Sequence, residues 1–150
     1  MARLAQAVGW RVSRRSEWGD NAPSETADAT LWLGDTLGEM PACYAAARVA
    51  LLGASFVPLG GQNLIEAAAC ACLVVMGPHT FNFAQAAESA QATGAALRAA
   101  DLPAALTAAL TLARDNAAHA RAAQAAQALI AANQGAADRM AEAVLKLLNS

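Results

Sequence analysis

The sequence predicts an α/β fold in which helices cover both faces of a Rossmann-like, three-layer parallel sheet. Three observations support this prediction. The chain has the length of one ordinary domain, 150 residues, and 57% of them are hydrophobic, which is too many for a disordered chain. From residue 29 to residue 98, short apolar segments alternate with segments of helical pattern. Most of the apolar segments lack a polar face, as strands buried on both sides require.

The first predicted elements are a helix and a strand. Residues 3–8 have a helical pattern that ends at Gly9, and residues 10–13 alternate large and polar side chains as a strand does. A helix followed by a strand at the start indicates that other elements precede them in a longer protein. Residues 16–27 are rich in Asp, Asn, Ser, Gly and Pro and lack a hydrophobic period, so we expect a connecting loop.

A regular alternation of strands and helices follows this loop. The sequence predicts four further strands, at residues 29–33, 48–52, 72–76 and 95–98. It predicts three helices between them, at residues 36–47, 62–71 and 82–92. Asp35 or Thr36 is the expected cap of the first of these helices.

From Asp101 onward the sequence predicts helices alone. Asp101 followed by Pro103 is typical of a helix start. Helical sequence then continues almost to Ser150, with breaks at residues 115–116 and 133–135. We therefore expect residues 1–150 to form a single domain with extra C-terminal helices.

Charge and cysteine content exclude several classes of function. A formal net charge of −2 provides no basic surface for nucleic acid or an anionic membrane. Residues 67–77, the longest weakly polar stretch, are fewer than the roughly 20 that a membrane-spanning helix needs. Cys43, Cys70 and Cys72 lack the spacing of zinc or redox pairs and have apolar neighbours in the sequence. We therefore expect reduced core thiols and no metal site.

The loops that follow the strands are the candidate binding positions, because ligands of doubly wound sheets bind beyond the carboxyl ends of the strands. After the strand at 48–52, Gly60 and Gly61 allow the backbone to approach a phosphate, and the Ser55 hydroxyl lies where it reaches the same group. The alternative is a simple turn in which Asn63 only caps the next helix.

Acidic residues near these loops have two interpretations each. Glu66 lies in an otherwise apolar helix, three residues after Asn63. It either faces a polar cleft and binds the hydroxyls of a ribose, or it makes a capping-box contact. Asp35 and Glu39 are better explained as a cap and a first-turn acid than as a catalytic pair.

Six short motifs occur along the chain in a fixed order. They are Ser-Arg-Arg-Ser (13–16), Asp-Thr-Leu-Gly-Glu-Met (35–40) with Tyr44, Gly-Ala-Ser (53–55), Gly-Gly-Gln-Asn (60–63) with Glu66, Gly-Pro-His (77–79) with Asn82 and Phe83, and Asn-Gln-Gly-Ala (133–136). Together they resemble the carboxyl-terminal half of bacterial 3-deoxy-D-manno-octulosonic acid (Kdo) transferases. The resemblance covers essentially the whole chain, and the ordered set is highly specific although each motif alone is weak.

The resemblance implies one half of a two-domain, inverting glycosyltransferase of GT-B type that binds the donor CMP-Kdo. The donor-binding residues that it implies are Gly38, Glu39 and Met40 by the nucleotide, Ser55, Gly60, Gly61 and Asn63 by the phosphate, and Glu66 by the ribose. It implies no catalytic residue, metal or cofactor in this chain. The catalytic base and the site for the acceptor, a lipid A precursor, belong to a preceding domain at the cytoplasmic face of the inner membrane, so we expect the chain alone to be inactive.

The chain departs from the family pattern at two positions. Ala54 stands where the family usually has glycine, and Gln62 stands where it usually has histidine. Any acid–base function of that histidine is therefore absent. Two alternatives remain open from the sequence: a domain of another nucleotide-sugar glycosyltransferase or epimerase, and a non-enzymatic flavodoxin-like module.

Overall fold

The computed structural model of the protein describes residues 1–21, 23–24, 28–133 and 144–148. The chain divides into two compact units, Met1–Met40 and Pro41–Ser150. Within the described residues, all strand pairs are parallel and helices alternate with the strands. The predicted α/β class with parallel strands is therefore confirmed.

The first unit contains one helix and a two-stranded parallel sheet. Its elements in chain order are α1 (Ala2–Ala7), β1 (Val12–Arg14), a 3-10 turn (Arg15–Glu17) and β2 (Leu31–Leu33). Val12 lies opposite Leu31 in the sheet. Trp18 packs edge-to-face on Trp32, with their ring centroids 5.9 Å apart, a geometry that aromatic pairs favour.

The second unit is built on a three-stranded parallel sheet in the order β3-β4-β5. Its elements in chain order are α2 (Met40–Ala46, which begins at the boundary between the units), β3 (Val49–Leu52), α3 (Leu64–Ala69), β4 (Leu73–Met76), α4 (Ala84–Thr93), β5 (Ala96–Arg98), α5 (Leu102–Arg114) and α6 (Asn116–Asn133). Two 3-10 turns, Gly53–Phe56 and Phe81–Phe83, follow β3 and precede α4.

The central strand β4 forms the middle of the core. All four of its residues are buried, as a continuous apolar run in a parallel sheet predicts. Its alternate side chains join two separate clusters, one with α3 and α4 and the other with α5. α6 takes part in both, through Leu129 in the first cluster and Ala122 in the second. Helices therefore cover both faces of this sheet, as predicted.

The C-terminal helices begin where the sequence predicts. The Asp101 carboxylate accepts a hydrogen bond from the Ala104 N–H at 2.8 Å and caps α5. α5 ends and α6 begins at the predicted break, residues 115–116. Residues 134–136, which make up most of the predicted break and of the 133–136 motif, lie outside the described residues. Among the described residues, no helix is both long and apolar enough to cross a membrane.

Three helices begin later than predicted. α2 begins at Met40 because Gly38 has a φ of 82°, a left-handed conformation that does not fit inside a right-handed helix. The predicted cap is also wrong, since the Asp35 carboxylate binds Arg14 and Ser16 instead. α3 and α4 each begin two residues later than predicted. α3 follows the left-handed pair Gly60 and Gly61, and α4 follows the 3-10 turn Phe81–Phe83.

The three cysteines are free thiols in different surroundings. Cys72 is buried, and this burial raises the pKa of its thiol. Cys43 is exposed, because the buried residue of α2 is its neighbour Tyr44. The prediction that all three are core residues is therefore wrong for Cys43.

Candidate functional site

Two loops of the second unit lie at the carboxyl edge of its sheet. Residues 53–63 follow β3, and residues 77–83 follow β4. Because β3 and β4 are parallel neighbours, these loops meet at one edge, where doubly wound sheets bind their ligands. We refer to residues 53–63 and 77–83 as the paired loops.

Hydrogen bonds join the paired loops at both ends. The His79 N–H donates to the Ser55 carbonyl oxygen at 3.0 Å, and the Asn82 N–H donates to the Gly60 carbonyl oxygen at 3.1 Å. The Asn82 side chain also donates from Nδ2 to the Leu59 carbonyl oxygen at 3.2 Å. Each loop therefore fixes the backbone of the other.

Ser55 ties the ends of two strands together. Its side chain is fully buried, at 0% exposure. The hydroxyl donates to the Leu52 carbonyl oxygen at 2.5 Å and accepts from the Gly77 N–H at 2.7 Å. In this structure its hydrogen bonds lie within the protein, so a direct contact with a phosphate stays a prediction.

Gly60 and Gly61 occupy positions that exclude a side chain. Their φ angles are 89° and 83°, in the left-handed region that favours glycine. A Cβ on Gly60 would lie 2.2 Å from the Asn82 Nδ2, and a Cβ on Gly61 would lie 3.2 Å from the His79 carbonyl oxygen. Gly60 is buried and Gly61 is partly buried, so the backbone of the two glycines packs closely against residues 79–82.

Asn63 caps α3 and also binds Glu66. Its Oδ1 accepts from the Ile65 N–H at 3.1 Å, and its Nδ2 donates to the Glu66 Oε1 at 3.1 Å. The cap is therefore present, whereas the capping box is not, because Glu66 binds a side chain and not the backbone N–H of the cap. Glu66 is exposed, so its carboxylate remains accessible to a ligand.

Arg98, the last residue of β5, is a site component that the sequence analysis missed. Its guanidinium donates to the Gly77 carbonyl oxygen at 3.2 Å, the Thr80 Oγ1 at 3.0 Å and the Gln91 Oε1 at 3.0 Å. No motif marks an arginine whose partners are a backbone carbonyl and a threonine hydroxyl. Such a residue is indistinguishable in sequence from a solvated charge.

The other three predicted donor-binding residues belong to the first unit or to its boundary. Gly38 is left-handed but has open space where a Cβ would lie. Glu39 forms an ion pair with Arg15 at 2.8 Å and accepts a hydrogen bond from the Thr36 hydroxyl. Met40 is exposed. Contact of these three residues with a nucleotide stays a prediction.

Asp35 joins two of the sequence motifs in one polar cluster. Its carboxylate accepts from the Ser16 N–H at 2.9 Å, the Ser16 hydroxyl at 2.8 Å and the Arg14 guanidinium at 2.7 Å. These bonds, above all those from Ser16 and then that from Arg14, lower the pKa of Asp35 to about 2. The cluster fixes the segment that follows β1.

We expect the first unit to lose stability between about pH 4 and pH 2. Because the pKa of Asp35 is lower in the folded state than its ordinary value of 3.8, folding favours the charged carboxylate. This stabilisation is complete above about pH 4 and is lost as the pH falls towards 2. All three tryptophans, Trp10, Trp18 and Trp32, lie in this unit, so tryptophan fluorescence during urea unfolding at several pH values measures the effect.

Two variants separate Asp35 from the other carboxylates. Asp35→Asn should be less stable than wild type at neutral pH and should show a weaker dependence on pH below 4. Glu17→Gln is the control, because the Glu17 carboxylate approaches the same Arg14 only to 3.8 Å. A pH dependence of Asp35→Asn as steep as that of wild type would argue against the assignment.

Comparison with known proteins reveals relatives over most of the chain. The 3-deoxy-D-manno-octulosonic acid transferase of Bordetella pertussis is 51% identical over 143 residues, which are 95% of this chain and 33% of that relative. The chain is homologous to the Kdo transferases. This chain spans about a third of the length of the Bordetella relative. No protein-family model matches the chain.

Two further Kdo transferases match shorter segments. The probable mitochondrial enzyme of Arabidopsis thaliana is 38% identical over 92 residues, which are 61% of this chain and 20% of the relative. The enzyme of Haemophilus influenzae is 35% identical over 83 residues, which are 55% of this chain and 18% of the relative. The resemblance predicted from the motifs is thus confirmed.

A solved structure shows the same fold. The C-terminal CMP-Kdo binding domain of WaaA from Acinetobacter baumannii superimposes with a TM-score of 0.77 and 25% sequence identity. The match covers 86% of this chain and 65% of that domain. The prediction that the chain folds like the carboxyl-terminal half of a Kdo transferase is confirmed.

The two departures from the usual Kdo transferase pattern contact each other. The Ala54 N–H donates to the Gln62 Oε1 at 3.4 Å. Gln62 therefore folds back on the turn after β3, where its amide supplies an acceptor. Glutamine thus supplies a hydrogen-bonding group at this position but, unlike histidine, no titrating one.

Proposed function

We propose that this chain is the donor-binding, carboxyl-terminal domain of a Kdo transferase of GT-B type and that it binds CMP-Kdo through the CMP moiety. The observation that carries the proposal is its structural similarity, over 86% of the chain, to a domain described as CMP-Kdo binding. We further propose that residues 1–150 form one domain of a longer enzyme. This enzyme transfers Kdo to a lipid A precursor during lipopolysaccharide synthesis, at the cytoplasmic face of the bacterial inner membrane.

The paired loops supply the chemistry that a nucleotide needs. Within the described residues, the N–H groups of Gly60, which is buried, and Gly61, which is partly buried, have no hydrogen-bond acceptor, and the phosphate of the donor would supply one. Glu66 supplies an accessible carboxylate near them, and a carboxylate binds both hydroxyls of a ribose. Asn63 holds Glu66 at 3.1 Å and so limits the positions that its carboxylate adopts.

A titration with CMP, followed by amide NMR shifts, tests this proposal. We expect weak binding, with the largest shifts at residues 38–40, at Ser55 and at residues 60–66. UDP is the comparison ligand, because another nucleotide-sugar enzyme would prefer it. The titration contains EDTA, since the proposed site uses amides and one carboxylate and requires no divalent ion. Shifts confined to α5 and α6, or a preference for UDP, would refute the proposal.

The variant Glu66→Gln tests whether the Glu66 carboxylate binds the ribose of CMP. The glutamine Oε1 can still accept from Asn63, so the α3 cap should persist and the stability should change little. CMP binding should weaken by about 1–3 kcal/mol, because a charge-assisted bond to the ribose is lost. Binding of 2′,3′-dideoxy-CMP should weaken much less. Glu88→Gln, an exposed change in α4, is the control, and equal losses for both ligands would make Glu66 a structural residue.

A further inference from the structure

Arg98 joins β5 to the loop that follows β4. Its NH1 donates to the Gly77 carbonyl oxygen at 3.2 Å, the Pro78 carbonyl oxygen at 3.4 Å and the Thr80 Oγ1 at 3.0 Å. Its Nε donates to the Gln91 Oε1 at 3.0 Å, which fixes the orientation of the guanidinium. Thr80 is buried and Arg98 is partly exposed, so their contact is partly shielded from water, which strengthens it.

We refer to residues 77–80, the segment that Arg98 holds, as the wall, because His79 and Thr80 lie against Gly61. A Cβ on Gly61 would lie 3.2 Å from the His79 carbonyl oxygen and 3.3 Å from the Thr80 Cα. Two residues further on, the Asn82 N–H donates to the Gly60 carbonyl oxygen at 3.1 Å. Gly61 therefore packs against this wall, and Gly60 is bonded to the residues that directly follow it. A displacement of the wall would change the direction of the glycine N–H groups.

We propose that Arg98 is a positioning residue for the phosphate of the donor. It acts without touching the ligand, by fixing residues 77–80 and through them the N–H groups of Gly60 and Gly61. A guanidinium suits this function because its rigid, planar donors satisfy several acceptors at once, whereas an ammonium group directs its donors less precisely. This inference rests on the proposed binding of CMP.

Arg48 provides a matched control within the same unit. Its guanidinium also joins separate elements, with Nε donating to the Ala113 carbonyl oxygen at 2.8 Å and NH2 donating to the Asn116 Oδ1 at 2.7 Å. Arg48 directly precedes β3, at the amino end of the sheet and opposite the paired loops. Substitution of Arg48 therefore removes a guanidinium that joins separate elements but leaves the contacts of residues 77–80 intact.

The experiment measures the affinities of wild type, Arg98→Gln, Arg98→Lys and Arg48→Gln for CMP and for cytidine, with urea unfolding of each variant in parallel. We expect Arg98→Gln to bind CMP about tenfold more weakly, while the affinity for cytidine changes less than about twofold, because only the phosphate contacts the glycine amides. Arg98→Lys should lose roughly threefold for CMP. Arg48→Gln should unfold at a lower urea concentration but retain both affinities.

The outcomes separate positioning from simple stabilisation. Equal losses for CMP and cytidine, or an unchanged affinity for CMP, in Arg98→Gln would overturn the inference. If Arg98→Gln does not fold, Arg98→Lys is judged by the same comparison of the two ligands. Failure of the wild-type chain to bind CMP is a different result, because it refutes the proposed function and the inference with it.

Discussion

Gly77→Ala is expected to destabilise the second unit by about 3 kcal/mol, because it forces two backbone segments apart. A Cβ at this position would lie 2.4 Å from the Ser55 carbonyl oxygen and 2.8 Å from its carbonyl carbon. Both atoms belong to the backbone of Ser55, so no side-chain rotation relieves the clash. The hydrogen bond from the Gly77 N–H to the buried Ser55 hydroxyl is strained by the same displacement. Urea unfolding followed by far-ultraviolet circular dichroism measures the loss.

Gly53→Ala is the control for this prediction. Gly53 directly follows β3 as Gly77 directly follows β4, and neither residue has a positive φ. A Cβ on Gly53 meets nothing within 4 Å, so we expect a change below about 1 kcal/mol. CMP affinity should fall in Gly77→Ala and stay constant in Gly53→Ala. Similar effects of the two variants on stability would mean that the close approach of the paired loops does not matter.

The strands were predictable because strands that are buried on both faces consist almost entirely of apolar residues. β4 is an unbroken apolar run, and such a run has few alternatives to a central parallel strand. The loops that carry the candidate site were predictable for a related reason, since each one directly follows an apolar strand. Helix starts were less predictable. Gly38 and Gly61 are compatible with several backbone conformations, and the sequence alone does not show that both adopt the left-handed one.

Polar contacts between distant residues were not predictable from the sequence. Asp35 has the spacing of a helix cap, yet its carboxylate binds the Ser16 N–H, 19 residues earlier in the chain. Arg98 binds the backbone carbonyl groups of Gly77 and Pro78, which every residue possesses, and the side chains of Thr80 and Gln91. Local patterns describe which residues are apolar and which turns are possible, whereas the partner of a charged side chain depends on the folded arrangement.

We expect the 150-residue chain by itself to transfer no Kdo from CMP-Kdo to a lipid A precursor. Inverting transfer needs a base for the acceptor hydroxyl and a surface that holds the acceptor in line with the breaking bond, and positioning supplies a large part of the rate. The two acidic residues among the predicted donor contacts, Glu39 and Glu66, are better explained by binding of the nucleotide than by deprotonation of the acceptor. The chain also spans only 33% of the Bordetella relative. Transfer of labelled Kdo is the measurement.

In a second form of this experiment, the chain is mixed with a separately produced amino-terminal part of a Kdo transferase. We expect turnover only in the mixture, with a rate that rises with the concentration of either part, because two unlinked domains must pay the entropy of association. This dependence distinguishes complementation from a trace of intact enzyme, whose rate would not respond to added amino-terminal part. Turnover by the chain alone would place the base within these residues, and Glu39→Gln and Glu66→Gln would then show which carboxylate removes the proton from the acceptor.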